Sequence, residues 1–160
     1  MKNQLLKAVM MLGFIAAFTI TSAVSSAAAY SFNTVKADIP FDFTIGNRVF
    51  HAGKYTLRPV TTDTNPVIQI RSEDGQAFRM FLTNSAVASE PKDQTALVFH
   101  RYGNQYFLYQ VWTLGDTIGI QLSKSGLERQ AEQGFVSSNI QSADNIVPTT
   151  ITLAVSQAAK

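Results

Sequence analysis

The segment from Val35 to Ile45 alternates with a period of two. Val35, Ala37, Ile39, Phe41, Phe43 and Ile45 fall on one side, and Lys36, Asp38, Pro40, Asp42 and Thr44 on the other. Successive side chains of a strand point to opposite faces, so this pattern predicts a half-buried β-strand and commits the start of the chain to a sheet. Pro40 has no N–H to give to a ladder, so the strand is expected to be an edge, or to pair on one side only at that point. Gly46-Asn47 follows as a Gly-first two-residue loop, the type II′ choice whose twist matches that of paired strands. That loop sets Phe43 opposite Phe50 and Asp42 opposite His51.

Apolar parity then slips, from Phe50 and Ala52 to Tyr55 and Leu57, with Gly53 at the slip. A bulge or corner at Gly53 restores the inward set. Pro59, Asp63, Asn65 and Pro66 mark a loop. Val67 to Arg71 and Ala77 to Leu82 then flank Glu73-Asp74-Gly75-Gln76 as a second hairpin, and the small and turn-favouring residues of Asn84 to Gln94 read as a longer loop. Thr95 to Tyr102 and Gln105 to Trp112 flank Gly103-Asn104 as a third hairpin, and a weaker strand lies around Ile118 to Leu122. Ser125-Gly126-Leu127-Glu128 matches a capping box, in which Ser accepts from the third helical amide while Glu reaches back; a short helix over 125–133 follows from it. From Phe135 the chain is small and polar until Ile151, Leu153 and Val155 alternate again, as a flexible tail or a late added strand.

Seven to eight short strands joined by turns, with at most one short helix, predict an all-β fold: an antiparallel sandwich or a small barrel. A membrane barrel is disfavoured because charges interrupt the outward faces and several strands are shorter than the roughly 9–11 residues such barrels use. The domain is expected over 30–134.

The first 29 residues read as an export leader. Lys2 and Lys7 precede thirteen mainly apolar residues, Ala8 to Ile20, and a small, polar stretch ends in Ala27-Ala28-Ala29. That order is a secretory signal peptide, too short in its apolar part to span a bilayer, with cleavage expected before Tyr30 and Ala23 or Ala27 as other ends. The product is expected in the periplasm or outside the cell, with no transmembrane segment after cleavage. The chain has no cysteine, hence no lipid attachment point and no disulfide, and its packing alone must hold the fold.

Thirteen Lys and Arg stand against eleven Asp and Glu, and loss of Lys2 and Lys7 leaves no net charge. Without a basic cluster the chain lacks the electrostatic footprint of a nucleic-acid binder. No nucleophile elbow, zinc-protease helix motif, phosphate loop or dinucleotide fingerprint occurs, so the residues suggest no cofactor and lean away from an enzyme. The two histidines, His51 and His100, have no spacing that predicts a metal site. His51 reads as a cross-strand partner of Asp42, and His100 as a half-buried ring. Asp38 and Asp42, with His51, are the acid and base candidates for a glycan hydrolase, provided that a cleft forms above them.

Leu97 to Trp112 is the unusual segment, with six aromatics in sixteen residues. A regular two-residue hairpin puts Leu97, Phe99, Arg101, Tyr106, Leu108, Gln110 and Trp112 on one face. If that face is not core, Arg101, Tyr106, Gln110 and Trp112 form a candidate binding surface for a sugar ring or another surface protein. Self-association through an exposed strand edge, or through Ile151 to Val155, is the alternative.

Ala37-Asp38-Ile39-Pro40-Phe41-Asp42-Phe43, Ala52-Gly53-Lys54-Tyr55, Ile70-Arg71-Ser72-Glu73-Asp74-Gly75, Leu97-Val98-Phe99-His100-Arg101-Tyr102-Gly103 and Gln110-Val111-Trp112 together resemble a group of small exported bacterial proteins without an assigned activity. The resemblance spans about Ala37 to Glu132 and implies an exported domain of its own kind, with no catalytic residue to carry over. The group often has Leu-Pro where this chain has Phe50-His51, so the resemblance gives His51 no shared role.

Overall fold

The computed structural model describes residues 33–61, 66–139 and 149–157. The expected leader, 1–29, and the middle of the loop after Pro59 lie outside them. The described residues form two sheets packed face to face and not closed into a barrel, with one helix.

The predicted first strand is two strands. β1 (Val35–Ile39) lies in the first sheet, and β2 (Phe43–Ile45) lies in the second. The break falls at Pro40–Asp42, where proline cannot continue a ladder. The partner strand breaks at the same level. β3 (Arg48–Phe50) pairs with β2 around the Gly46-Asn47 loop, and Phe43 sits opposite Phe50 as expected. The chain then turns a corner at His51–Ala52 and enters the first sheet as β4 (Gly53–Pro59), antiparallel to β1. Gly53 takes φ +155°, and the parity slip is met by this change of sheet. One long hairpin is thus folded over and shared between both layers.

Asp42 clamps the corner. Its carboxylate accepts the Ala52 N–H at 2.8 Å and lies 3.2 Å from His51 Nδ1. Those two bonds, the backbone one first, hold its pKa below the usual carboxylate value. A carboxyl depressed in the folded state contributes stability above its unfolded pKa and loses it as pH falls through the folded one. Asp42→Asn is therefore expected to lower Tm at pH 6, and the gap to wild type should close as the pH falls through the depressed folded pKa. A gap that does not change with pH would assign the corner's stability to packing alone.

β5 (Val67–Ser72) and β6 (Phe78–Leu82) extend the first sheet, whose order is β12-β1-β4-β5-β6. The second sheet runs β11-β8-β9-β10-β7, with β2 joining β9 through one parallel bridge, Thr44 to Phe107, the exception to antiparallel pairing. β8 (Ala96–Tyr102) and β9 (Gln105–Trp112) are the third predicted hairpin, and β10 (Ile118–Gln121) the weaker strand. Asn84–Val87, read from the sequence as loop, is β7 and pairs with β10. It carries little apolar alternation because only Ala86 of its four residues is buried. β11 (Thr149–Ala154) pairs along β8, and β12 (Ser156–Gln157) pairs with β1. The split hairpin, β7 and the last two strands bring the described total to twelve strands rather than seven or eight.

The core lies between the sheets. Ile39, Leu57, Ile68 and Ile70 meet Phe43, Leu97, Phe99, Val111 and Ile120 in one cluster of buried side chains. Phe43 is its aromatic hub, 5.3 Å from Phe50, 5.2 Å from Tyr55 and 5.8 Å from Phe99, centroid to centroid.

The helix, α1, runs Gly126–Asn139, past the predicted end at 133. Gly134 costs a helix about 1 kcal/mol relative to alanine. The following Phe135 packs edge-on against Tyr102 at 6.3 Å, a contact that helps to carry the helix through.

Candidate functional site

The aromatic hairpin has a β-bulge that the sequence does not announce. Val98 pairs with Gln110, but Phe99 pairs with Leu108, so Tyr109 is an extra residue on β9. One extra residue reverses which face follows. Gln110 and Trp112 therefore share a side with Val98 and Ala96, whereas Tyr106 remains opposite Arg101. The four predicted binding residues are divided two and two, and the face expected to carry all of them does not exist.

Each pair is already engaged. Trp112 is only 6% exposed and packs with Ala86 and Val98. Its Nε1 donates to Gln110 Oε1 at 3.1 Å, and Lys92 Nζ lies 4.7 Å from its ring centroid. Tyr106 stacks on Phe41 at 4.1 Å, with the Arg101 guanidinium 5.5 Å from its ring centroid. A ring held in this way is a poor stacking platform for a sugar. Behind Trp112, a Cβ added to Gly119 would lie 2.6 Å from the indole. Gly119→Ala is expected to destabilise the fold by about 1–3 kcal/mol and to shift the emission of this single tryptophan, because overpacking forces the ring to move. Unchanged emission would show that the backbone yields instead.

His100 is buried on the outer side of β8, under α1. Its Nδ1 lies 2.7 Å from Glu128 Oε1, Tyr102 Oη is 3.4 Å from the same oxygen, and Tyr109 stacks on the imidazole at 3.9 Å. Burial, and then the charge of Glu128, raise the Tyr102 pKa. Half of the predicted capping box forms, with the Glu128 N–H donating to Ser125 Oγ at 3.1 Å. The other half is replaced, since the Glu128 carboxylate turns inward to His100, where a buried imidazole needs a partner. This cluster is closed to a substrate and fastens the helix.

Asp38 stands in β1 opposite Lys54, while Asp42 is bound into the corner with His51. The corner that separates β1 from β2 removes the shared strand face on which the two carboxylates were expected to act together. Among the described residues no group of three or more His, Asp or Glu is placed to hold a metal ion.

Comparison with protein-family models, with curated proteins and with solved structures finds no match.

The feature that does stand open is the outer face of the first sheet. On β4 and β5 the inward residues are Tyr55, Leu57, Ile68 and Ile70, so Lys54, Thr56, Arg58, Gln69 and Arg71 point outward, with Gln69 itself buried beneath its neighbours. Lys36 and Asp38 of β1 continue that face, and an open groove of about 940 Å³ runs along it. Arg58 Nε donates to Gln69 Oε1 at 2.9 Å, and Lys54 meets Glu73 at only 3.9 Å. Four cations, Lys36, Lys54, Arg58 and Arg71, thus outnumber Asp38 and Glu73 along the groove.

β6 completes the face and carries large apolar side chains on both sides, with Phe81 turned inward against Phe50 at 6.2 Å. Phe78 pairs with Arg71, Met80 with Gln69 and Leu82 with Val67, so all three side chains point outward, 44%, 51% and 76% exposed. Arg79 takes the inward-facing position beside Ile70, and its Nη1 turns back to donate to the Phe78 carbonyl at 2.6 Å. Val60, also exposed, carries the apolar strip round the end of β4. Sequence reasoning passed over these residues because no motif marks them, and the signal that could have found them is a charged residue between large apolar ones on an edge strand.

Among the described residues no helix is long and apolar enough to cross a membrane.

Proposed function

We propose that this chain is an exported, non-enzymatic β-sandwich module that binds its partner through the outer face of its first sheet. The observation that carries the reading is the row Phe78, Met80 and Leu82, held in solvent beside Arg58 and Arg71. Single exposed apolar residues are ordinary, but a contiguous strip beside a cationic row is what a binding surface for an anionic, partly apolar partner requires. The aromatic hairpin is taken up by internal packing, and the His51 and His100 rings each meet a carboxylate.

Anilinonaphthalene sulfonate, an anion with apolar rings, tests the reading. The folded protein is expected to enhance its fluorescence, and the double variant Arg71→Gln/Met80→Gln should lose the enhancement without loss of Tm, since substitutions at such surface sites usually change stability by less than about 0.5 kcal/mol. A second groove lies between α1 and the β8–β9 turn, lined by Gly103, Asn104, Phe135 and the exposed Leu127; enhancement that survives the double variant and is lost instead in Leu127→Gln would place the binding surface there and sink the proposal.

A further inference from the structure

Resting on that reading, we infer that the partner is an anionic lipid surface, on which the first sheet lies flat. Five strands at about 4.8 Å spacing make a face roughly 20 Å across, an area suited to a plane rather than to a single small ligand. The two kinds of side chain on that face match the two layers of a membrane interface. Lys36, Lys54, Arg58 and Arg71 supply charge for headgroup phosphates. Phe78, Met80 and Leu82 form an exposed apolar row along one border, the kind of surface that buries at the acyl boundary. With the strands parallel to the membrane plane, the backbone groups at the free edge of β6 stay in the hydrated headgroup layer. No unpaired N–H or C=O has to enter hydrocarbon, which is what ordinarily forbids an open sheet edge in lipid.

The other occupants fit less well. An acidic polysaccharide would use the cations and leave Phe78, Met80 and Leu82 wet. A second copy paired edge to edge along β6 would carry Arg79 of each copy to the join, on the side that faces the core. An inward-pointing charge on an edge strand is a recognised guard against such pairing.

Co-sedimentation of the purified protein with vesicles tests the inference. Binding is expected to vesicles of phosphatidylglycerol in phosphatidylcholine and not to pure phosphatidylcholine, and to weaken as salt is raised, because the attraction of basic residues to an anionic surface is screened. Lys36→Gln/Arg71→Gln should weaken partitioning about 30-fold. Met80→Gln/Leu82→Gln should weaken it with the charge unchanged. Both doubles alter exposed groups, and an unchanged Tm verifies that each is folded. If neither vesicle binds while the dye still reports the face, the lipid assignment falls and the binding face stands. If the protein instead sediments as a dimer that Met80→Gln/Leu82→Gln dissociates, the face is a protein interface and the lipid assignment is wrong. Loss of the dye signal's dependence on Arg71 and Met80 would remove the face itself.

Discussion

Phe43→Ala is expected to lower the unfolding free energy by about 3–5 kcal/mol, the range for truncating a buried phenylalanine. The reason is positional as much as volumetric. Phe43 is 1% exposed and stands where the folded-over hairpin passes from one sheet to the other, against Phe50, Tyr55 and Phe99. A cavity there borders both layers, so neither can close it without moving the other. Domains of this kind are stable by about 5–15 kcal/mol, so the loss is a large part of the whole. Urea unfolding followed by circular dichroism checks it, with Phe78→Ala as the comparison. Phe78 has the same side chain in the exposed row of β6, and its truncation should cost less than about 0.5 kcal/mol. Equal losses at the two positions would mean that β6 is turned the other way, and the candidate binding face would go with it.

The second large effect belongs to Glu128. Its carboxylate is the shared acceptor for His100 Nδ1 and the Tyr102 hydroxyl, with side-chain exposures of 6% for Glu128 and 11% for His100. Glu128→Ala strands the buried His100 Nδ1 and leaves the Tyr102 hydroxyl with Lys124, and the expected cost is about 2–4 kcal/mol. Glu128→Gln keeps an acceptor of the same shape and should recover most of it. Because the residue also fastens α1, hydrogen exchange in Gly126–Asn139 should accelerate in the alanine variant more than in the strands. A cost no larger than that of Glu132→Ala, whose carboxylate pairs with Lys124 nearer the surface, would show that the helix is held by its apolar contacts instead.

Legibility followed the physics of each element. The hairpins at Gly46-Asn47, Glu73 to Gln76 and Gly103-Asn104 were readable because turn chemistry is local, and the Phe43–Phe50 register came with it. The corner was half readable. Pro40 and the parity slip at Gly53 each marked a discontinuity, but that both strands break at one level and cross together is a property of two layers. The bulge at Tyr109 left no trace, since any residue can occupy it, and that single insertion divided Arg101 and Tyr106 from Gln110 and Trp112. The outward row of β6 was nearly hidden by its own pattern. Phe78, Met80 and Leu82 alternate as an inward set would; Arg79 between two of them was the trace in the sequence, and the pairing with Arg71 and Gln69 shows that they face out. Glu128 was found as a capping residue, while its bond to His100 spans 28 positions of sequence and needs the fold to exist.

The last described stretch has a consequence for timing. Thr149–Ala154 completes the second sheet against β8, Val155 bonds back to the Thr95 carbonyl at 3.0 Å, and Ser156–Gln157 lies against β1 in the first sheet. β1 and its neighbour β12 pair across nearly the whole described sequence, Val35 with Gln157. Neither layer can be finished until residues 149–157 have been synthesised, and contacts of such long sequence separation form slowly. Both sheets of this topology therefore close together and late, rather than one layer serving as a finished template for the other.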